Sequence, residues 1–194
     1  MIDFSILVCS IFERRAFLNR LLDVLEPQLK PNVELLVLND NVKRPIGTKR
    51  NNLMDLAQGK YFCFIDDDDL VVPEYVDEVL AHIPEDPDTI VYDSLYTENG
   101  QNPKLVKHGK DFGHYTAPDA YYRRPNHKMV HKRSIVVERF QDISFGEDDE
   151  WAARHLKYIK TEARIDKVLY LHEYSTLTRK HYNIPPEWRN YRSE

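Results

Sequence analysis

The sequence has no apolar run long enough to cross a membrane, and its start, Met1-Ile2-Asp3, lacks the basic segment that opens a signal peptide. It contains only two cysteines, Cys9 and Cys63, and both fall within predicted strands. Such isolated cysteines indicate buried, reduced thiols rather than a disulfide framework. We therefore expect a cytoplasmic protein.

A basic excess is also missing, because 27 Lys and Arg stand against 32 Asp and Glu, which gives a net charge of −5 at pH 7. The overall charge therefore gives no argument for nucleic-acid binding. The distribution is uneven, however. Residues 104–133 hold eight Lys and Arg against two acids, and residues 138–150 hold six acids. A basic segment thus runs directly into an acidic one.

With no internal repeat or linker, the 194 residues fit one domain with a sizeable core. Short apolar runs predict buried strands at residues 4–9, 33–38, 60–65, 89–92 and 168–171. Helical periodicity predicts helices at residues 13–25, 47–57, 73–82 and from residue 146 onward. This alternation predicts an α/β fold with a mixed, mostly parallel sheet flanked by helices.

The remaining segments give weaker patterns. Asn99-Gly100 predicts a hairpin between residues 94–98 and 104–108. Residues 10–12 and 110–126 are interpreted as loops, residues 127–131 as a short strand, and residues 134–140 as a short helix.

The most informative stretch is the strand at residues 60–65, which runs directly into four aspartates, Asp66–Asp69. Consecutive carboxylates repel one another, and holding them beside a core costs free energy unless a cation neutralises them. Ligands also bind at the carboxyl ends of strands in open α/β sheets. We therefore expect Mg²⁺ or Mn²⁺ here, bridging phosphates. An EF-hand loop is excluded, since Val71 stands where that loop needs glycine.

A second acidic group, Glu147-Asp148-Asp149-Glu150, follows Gly146 at the start of a predicted helix. Acids in a first turn favour the helix dipole, but a helix rarely needs four. A carboxylate held there, close to a metal ion and phosphate, is suited to deprotonate a hydroxyl as a general base.

Several short motifs occur in a fixed order along the chain: Ser5–Phe12, Asn39-Asp40, Gly47–Asn51, Gly59–Asp69, Gly146–Asp148 and Tyr170–Ser175. In this order they resemble the GT-A glycosyltransferases of the large inverting family two. The resemblance covers about residues 3–178. It implies a single GT-A (nucleotide-diphospho-sugar transferase-like) domain over residues 1–178, with a tail at 179–194 packing on it.

The resemblance implies a metal-dependent hexosyl- or pentosyltransferase that moves a sugar from a nucleotide-diphospho-sugar to an acceptor hydroxyl, with inversion. The implied donor-binding residues are Ser10, Glu13, Asp40, Arg50, Asp66 and Asp67. The implied ligands of Mn²⁺ or Mg²⁺ are Asp68, Asp66 and His172. The implied catalytic residues are Asp148, as general base, with Glu147 and Asp149. The implied acceptor-side residues are His127, Lys128 and Arg133.

The sequence departs from the family pattern at three places. Asp67 stands where the middle residue of Asp-X-Asp is usually small, and Asn41-Val42 stands where relatives often have Gly-Ser. Asp149 directly follows Asp148, so the base is one or the other. The acceptor is open between a glycan, a protein side chain and a hydroxymethylated DNA base, in a microbial or virus-infected cell. An anionic acceptor or ordinary solvated charge would each account for the dense cations Arg123, Arg124, Lys128, Lys132 and Arg133.

Two other functions compete with this interpretation. A sugar-nucleotidyltransferase is expected to carry a Gly-rich phosphate loop after its first strand, but Ser10–Glu13 contains no glycine. A non-catalytic module that binds a cation or a nucleotide-sugar needs only one acidic group, and the second group at Glu147–Glu150 argues against it.

Overall fold

The computed structural model describes residues 1–41 and 44–175, so the predicted tail at 179–194 lies outside the described residues. The strands are β1 (Phe4–Ile11), β2 (Val33–Asp40), β3 (Tyr61–Phe64), β4 (Leu70–Val71), β5 (Thr89–Glu98), β6 (Gln101–His108), β7 (Tyr115–Thr116), β8 (Ala120–Arg123), β9 (Val130–Lys132) and β10 (Glu162–Tyr174). The helices are α1 (Arg15–Leu25), α2 (Ile46–Leu56), α3 (Tyr75–His82) and α4 (Glu147–His155). None of these helices is long and apolar enough to cross a membrane.

The strands form one mixed sheet in the order β2-β1-β3-β9-β5-β6-β8-β7, and β10 lies along β5 and also pairs with β4. β1 is parallel to β2 and β3, and β10 is parallel to β5. β9 is antiparallel to both β3 and β5. This architecture confirms the predicted α/β fold with a mixed sheet flanked by helices. The carboxyl ends of β1, β2 and β3 meet at one edge, because these strands are parallel.

The sheet separates two apolar clusters. On one face, alternate residues of β1 such as Phe4 and Ile6 pack with Leu21 of α1 and Val79 of α3. On the other face, the core is formed by Leu7, Leu53, Met54, Phe62, Phe64, Phe140, Trp151 and Ala152, which join α2 and α4 to the sheet. This alternation follows from the two-residue period of side chains along a strand. Both cysteines are free thiols; Cys63 is buried and Cys9 is half-buried.

Several predicted elements differ from the structure. β1 extends through Ser10 and Ile11, which were interpreted as loop. The strands predicted at 89–92 and 94–98 form one strand, β5, because its first part pairs with β9 and its second part pairs with β6. β10 has 13 residues, since β5 offers hydrogen-bonding partners along its whole length. The predicted hairpin at Asn99-Gly100 joins β5 to β6.

The helix predicted at 134–140 is wrong, because only a 3-10 turn at Arg133–Ile135 forms. Side chains of other elements bind the backbone of this segment, and one of them takes the N–H of Phe140, which a helix would use. Asn51 receives the N–H of Phe140 and donates to its carbonyl, at 2.9 Å each, and Trp151 donates to the carbonyl of Glu138. The loop predicted at 110–126 contains the short strands β7 and β8, which are too short to show a period.

The strand predicted at 127–131 begins only at Val130. Residues 126–129 form a turn in which the N–H of Met129 donates to the carbonyl of Asn126. The carbonyl of His127 accepts the N–H of Phe64 at 2.9 Å. This turn therefore holds His127 and Lys128 against the carboxyl end of β3.

Gly47, in the first turn of α2, lies against the backbone of residues 141–143 and provides a test of this contact. The carbonyl oxygen of Gln141 occupies the space that a Cβ at this position would need. We expect Gly47→Ala to displace the segment at 141–143 and to destabilise the protein by about 1–3 kcal/mol through overpacking. Differential scanning calorimetry should show a Tm lower by about 3–9 °C. Gly113→Ala is the control, because no atom lies within 4 Å of its Cβ; an equal fall in that variant would contradict the account.

Candidate active site

The four aspartates that follow β3, here called the acid loop (Asp66–Asp69), differ strongly in exposure. The side chains of Asp67 and Asp69 are buried, whereas those of Asp66 and Asp68 are 27% and 16% exposed. The backbone N–H of Asp69 donates to the carbonyl of Asp66 at 3.1 Å, which closes a turn. Only Asp66 and Asp68 thus present carboxylate oxygens toward solvent.

Two buried cations of the protein itself neutralise much of the acid loop. Arg14 Nη2 lies 2.5 Å from Asp67 Oδ1 and 2.8 Å from Asp68 Oδ1. Lys128 Nζ lies 2.6 Å from Asp69 Oδ2 and 3.0 Å from Asp66 Oδ2. The cation that four adjacent carboxylates require is therefore supplied at least in part by side chains.

The individual pKa values follow from these contacts. Burial raises the pKa of Asp67 to about 6, although Arg14 and Ser10 favour its charged form. Burial and the neighbouring charge of Asp69 raise the pKa of Asp68. Burial acts in the same direction on Asp66, but the positive charges of Lys128 and Arg50 outweigh it and hold its pKa well below the usual range. Asp66 is thus a persistent anion at the strand end.

Asp69 has a structural role. Its carboxylate accepts hydrogen bonds from the Tyr170 hydroxyl at 2.7 Å and from the backbone N–H of Glu173 at 3.0 Å. Asp69 therefore fastens β10 to the acid loop, because Tyr170 and Glu173 both belong to that strand.

Arg50 joins the two acidic groups of the sequence. Its guanidinium is buried, with Nη1 2.5 Å from Glu147 Oε1 and Nη2 3.1 Å from Asp66 Oδ1. It also lies over the rings of Phe64 and Phe140, at 5.6 and 5.4 Å from their centroids. The start of α4 is therefore held directly beside the carboxyl end of β3.

The pKa values of Glu147 and Asp148 are shifted in opposite directions, although the two residues are adjacent. Burial raises the pKa of Glu147 to about 7, even though Arg50 stabilises its charged form. Burial has the same tendency at Asp148, but His127 and Arg50 outweigh it and lower its pKa. Asp148 is also 39% exposed. At neutral pH, Asp148 is the ionised and accessible member of the pair.

Two histidines approach the acids of α4. His127 is buried, and its Nδ1 lies 3.7 Å from Asp148 Oδ2. Burial and the nearby Arg50 lower the pKa of His127. His114, in the segment between β6 and β7, has its Nε2 3.5 Å from Asp149 Oδ1. Asp149 is 61% exposed.

The ends of β1 and β2 carry a further polar group. Lys49 Nζ lies 3.0 Å from Asp40 Oδ1 and also donates to the carbonyl of Ser10. Ser10 Oγ donates to Asp67 Oδ2 at 2.6 Å. These contacts link Asp40 and Ser10 to the acid loop. Glu13 is exposed.

Three further predicted residues have the following surroundings. Lys128 is buried as the counterion of Asp66 and Asp69. Arg133 is exposed, and its backbone N–H donates to the carbonyl of Lys60, just before the amino end of β3. His172 is half-buried on β10, with its ring 5.2 Å from that of Tyr96. Their roles in the site stay predictions.

The sequence interpretation missed Arg14, Lys49 and Tyr170. Each is buried and contacts an acid or a carbonyl of the site. A search for cations near the strand ends could have found Arg14 and Lys49, which are adjacent to the predicted residues Glu13 and Arg50. No local pattern marks Tyr170 as a hydrogen-bond donor to Asp69.

Residues 1–41 and 44–175 contain no group of three or more His, Cys, Asp or Glu side chains arranged to hold a metal ion. The donor set still fits Mg²⁺ or Mn²⁺, because such ions are commonly held by one or two carboxylates together with substrate phosphates. Asp66 and Asp68 are the partly exposed carboxylates here. A cleft of about 290 Å³ adjoins Asp68 and is lined also by Phe17, Arg20, Asn99, Gly100, Glu173, Tyr174 and Ser175.

The parallel strand ends and the acids gathered there define an α/β protein of the nucleotide-diphospho-sugar transferase type. The family model of glycosyl transferase family 2 matches residues 41–144, which include the acid loop and end before Glu147. The chain belongs to this family, and its fold is the GT-A fold. No curated protein sequence matches the chain.

Solved structures of TarS from S. aureus share the fold. TarS 1–349 in complex with UDP is 17% identical, with a TM-score of 0.69, over 89% of this chain and 60% of that chain. A second TarS structure is 15% identical, with a TM-score of 0.71, over 89% and 37% of the two chains. TarS 1–349 in complex with UDP-GlcNAc is 16% identical, with a TM-score of 0.65, over 89% and 58%. The chain thus spans at most about 60% of the TarS chains it matches.

The role of Lys128 as a buried counterion can be tested by Lys128→Met. This change keeps an aliphatic side chain but leaves Asp66 and Asp69 without their shared cation. We expect a loss of about 3–5 kcal/mol in the free energy of unfolding, measured with urea, because breaking a buried ion pair strands a charge.

Lys60→Met is the matched control for this prediction. Lys60 lies just before β3, the strand whose carboxyl end Lys128 contacts, but its ion pair with Asp86 is exposed. Exposed ion pairs contribute little to stability. If both variants had the same urea midpoint as the wild type, the buried ion pairs of Lys128 would not stabilise the protein.

Proposed function

We propose that this protein is a glycosyltransferase that moves a sugar from a nucleotide-diphospho-sugar to an acceptor hydroxyl, with inversion, and that Asp148 is its general base. One observation carries the proposal. Arg50 lies 3.1 Å from Asp66 and 2.5 Å from Glu147, so it joins the acid loop to the start of α4. Two acidic groups that are far apart in the sequence therefore form one site.

The donor half of the site lies at the carboxyl ends of β1, β2 and β3. Asp40, held by Lys49, would bind the nucleotide base. Lys49 also donates to the carbonyl of Ser10 on the adjacent strand β1, and Glu13 follows Ser10 by three positions. Arg50 and the acid loop line the adjoining position, where the ribose and diphosphate would lie. This is the location that open α/β sheets use for nucleotides.

A divalent ion, Mn²⁺ or Mg²⁺, is the implied cofactor of this half. Asp68 and Asp66 would hold it, and His172 would approach it from β10. The residue after His172, Glu173, donates its backbone N–H to Asp69. When bound, the ion would neutralise charge on the diphosphate leaving group. Arg50 supplies a fixed positive charge in the same place.

The acceptor half is built around Asp148. This carboxylate takes the proton of the acceptor hydroxyl as the oxygen forms a bond to the anomeric carbon. The bond from that carbon to the phosphate oxygen breaks on the opposite face, and the nucleoside diphosphate leaves with the electron pair. The configuration at the anomeric carbon is therefore inverted. Asp148 suits this role because it is ionised and accessible.

A UDP-sugar is the first donor to test, since TarS structures contain UDP and UDP-GlcNAc. Thermal shift measurements with UDP and UDP-GlcNAc, each with and without Mn²⁺, should show a rise in Tm that depends on both components. Turnover should release UDP. Release of pyrophosphate would instead indicate a sugar-nucleotidyltransferase, and binding without any donor cleavage would indicate a binding module.

The base assignment predicts a separation between binding and turnover. Asp148→Asn keeps the shape of the side chain but cannot accept a proton. We expect kcat to fall by about 100-fold or more, as for loss of a general base, while calorimetry shows nearly unchanged binding of UDP. Asp149→Asn serves as the comparison; a loss confined to that variant would move the base to Asp149.

The metal assignment predicts a different pattern for Asp68→Ala. This variant should lose transfer and should bind UDP with the same affinity whether or not Mn²⁺ is present, because the ion has lost a ligand. Asp111→Ala, at an exposed position paired only with Lys110, is the control. Full activity of Asp68→Ala would disprove the assignment.

A further inference from the structure

His127 stands between the two halves of the site, and its contacts define its tautomer. The Nη2 group of Arg50 lies 3.1 Å from His127 Nε2. Asp66 Oδ1 also lies 3.4 Å from this nitrogen, which is longer than an N–H···O hydrogen bond. A guanidinium has only donors, so Nε2 accepts the shorter bond, from Arg50. The same Nη2 serves Asp66 Oδ1 at 3.1 Å with its second hydrogen. In a neutral imidazole whose Nε2 accepts, the hydrogen resides on Nδ1.

That Nδ1–H is buried, and within the described part of the chain it has no hydrogen-bond partner. A buried donor without an acceptor carries a free-energy cost. Asp148 Oδ2 lies 3.7 Å away, slightly too far for a hydrogen bond. Asp148 is 39% exposed, so its side chain has room to move. Catalytic hydrogen bonds that are long in a free enzyme often shorten in the reacting complex.

His114 does not offer Asp149 the same contact. Its Nε2 accepts a hydrogen bond from Arg124 Nε at 3.2 Å, and this is the nitrogen that lies 3.5 Å from Asp149 Oδ1. A nitrogen that accepts from Arg124 has no hydrogen to give to Asp149. The two adjacent aspartates therefore differ in the hydrogen bonding available to them.

We propose that His127 is a positioning residue, whose Nδ1–H binds one oxygen of Asp148 and turns the other oxygen toward the acceptor hydroxyl. This selects Asp148 over Asp149 as the base. The inference rests on the proposed glycosyltransferase function. The family resemblance implied only that His127 lies on the acceptor side, whereas this inference gives it a specific contact with the base. It also makes Arg50 the group that fixes the tautomer of His127.

The tautomer can be measured without any turnover. In protein labelled with ¹⁵N-histidine, long-range ¹H–¹⁵N spectra distinguish a protonated Nδ1 from a protonated Nε2, and His127→Gln identifies the signal. The wild type should show a neutral His127 with the hydrogen on Nδ1. In complex with UDP and Mn²⁺, the Nδ1 signal of Asp148→Asn should differ from that of the wild type. A hydrogen on Nε2, or no response to Asp148→Asn, would overturn the inference.

Two substitutions separate the nitrogens by function. The amide of His127→Asn lies near the position of Nδ1 and can still donate to Asp148. The amide of His127→Gln reaches the position of Nε2, so it can serve Arg50 but not Asp148. We expect kcat to fall by about 10- to 100-fold more in the Gln variant, as for misplacement of a reacting group, with UDP binding nearly equal in both.

Equal losses of kcat in the two variants would mean that only the bulk of His127 matters, and the inference would fail. His114→Gln is the matched control; if it lost more turnover than His127→Gln, the base would belong to Asp149. Absence of donor cleavage by the wild type would reject the proposed function itself, whereas the NMR result would still report the contact between His127 and Asp148.

Discussion

The buried guanidinium of Arg50 is the contact on which the site depends. It ion-pairs with the acid loop at the end of β3 and with Glu147 at the start of α4, and it contacts the nitrogen of His127. A buried charge is tolerated only when its partners surround it, so these three groups and Arg50 require one another. The helix that carries Asp148 is thereby tied to the carboxyl end of β3, in addition to the packing of its Trp151 and Ala152 against the sheet.

The same balance of charge explains how the acid loop can exist beside a core. Arg14 and Lys128 compensate Asp67, Asp68 and Asp69 from opposite sides of the loop. Their presence reduces the negative charge that a metal ion would have to neutralise in the loop. In the proposed function, an ion that binds there could then act mainly on the diphosphate.

Much of the fold was predictable from the sequence, because buried strands and amphipathic helices have distinct periods. The acids of the site were predictable too, since four adjacent aspartates after a strand are unusual. Their counterions were not, because Lys128 reaches Asp69 across 59 positions of the chain. The helix expected at 134–140 failed for a related reason, since Asn51, from a distant helix, takes the N–H of Phe140 that its last turn would use. Short-range patterns do not contain such tertiary contacts.

The attachment of Asp69 to β10 has a consequence for how the protein reaches its native state. The hydroxyl of Tyr170 and the N–H of Glu173 lie 101 and 104 positions beyond Asp69. Contacts between such distant positions form late, because a long loop must close first. In a nascent chain from which β10 has not yet emerged, Asp69 can pair with Lys128 but not with Tyr170 or Glu173. We therefore expect the acid loop to gain its last contacts late in folding, after most of the sheet is in place.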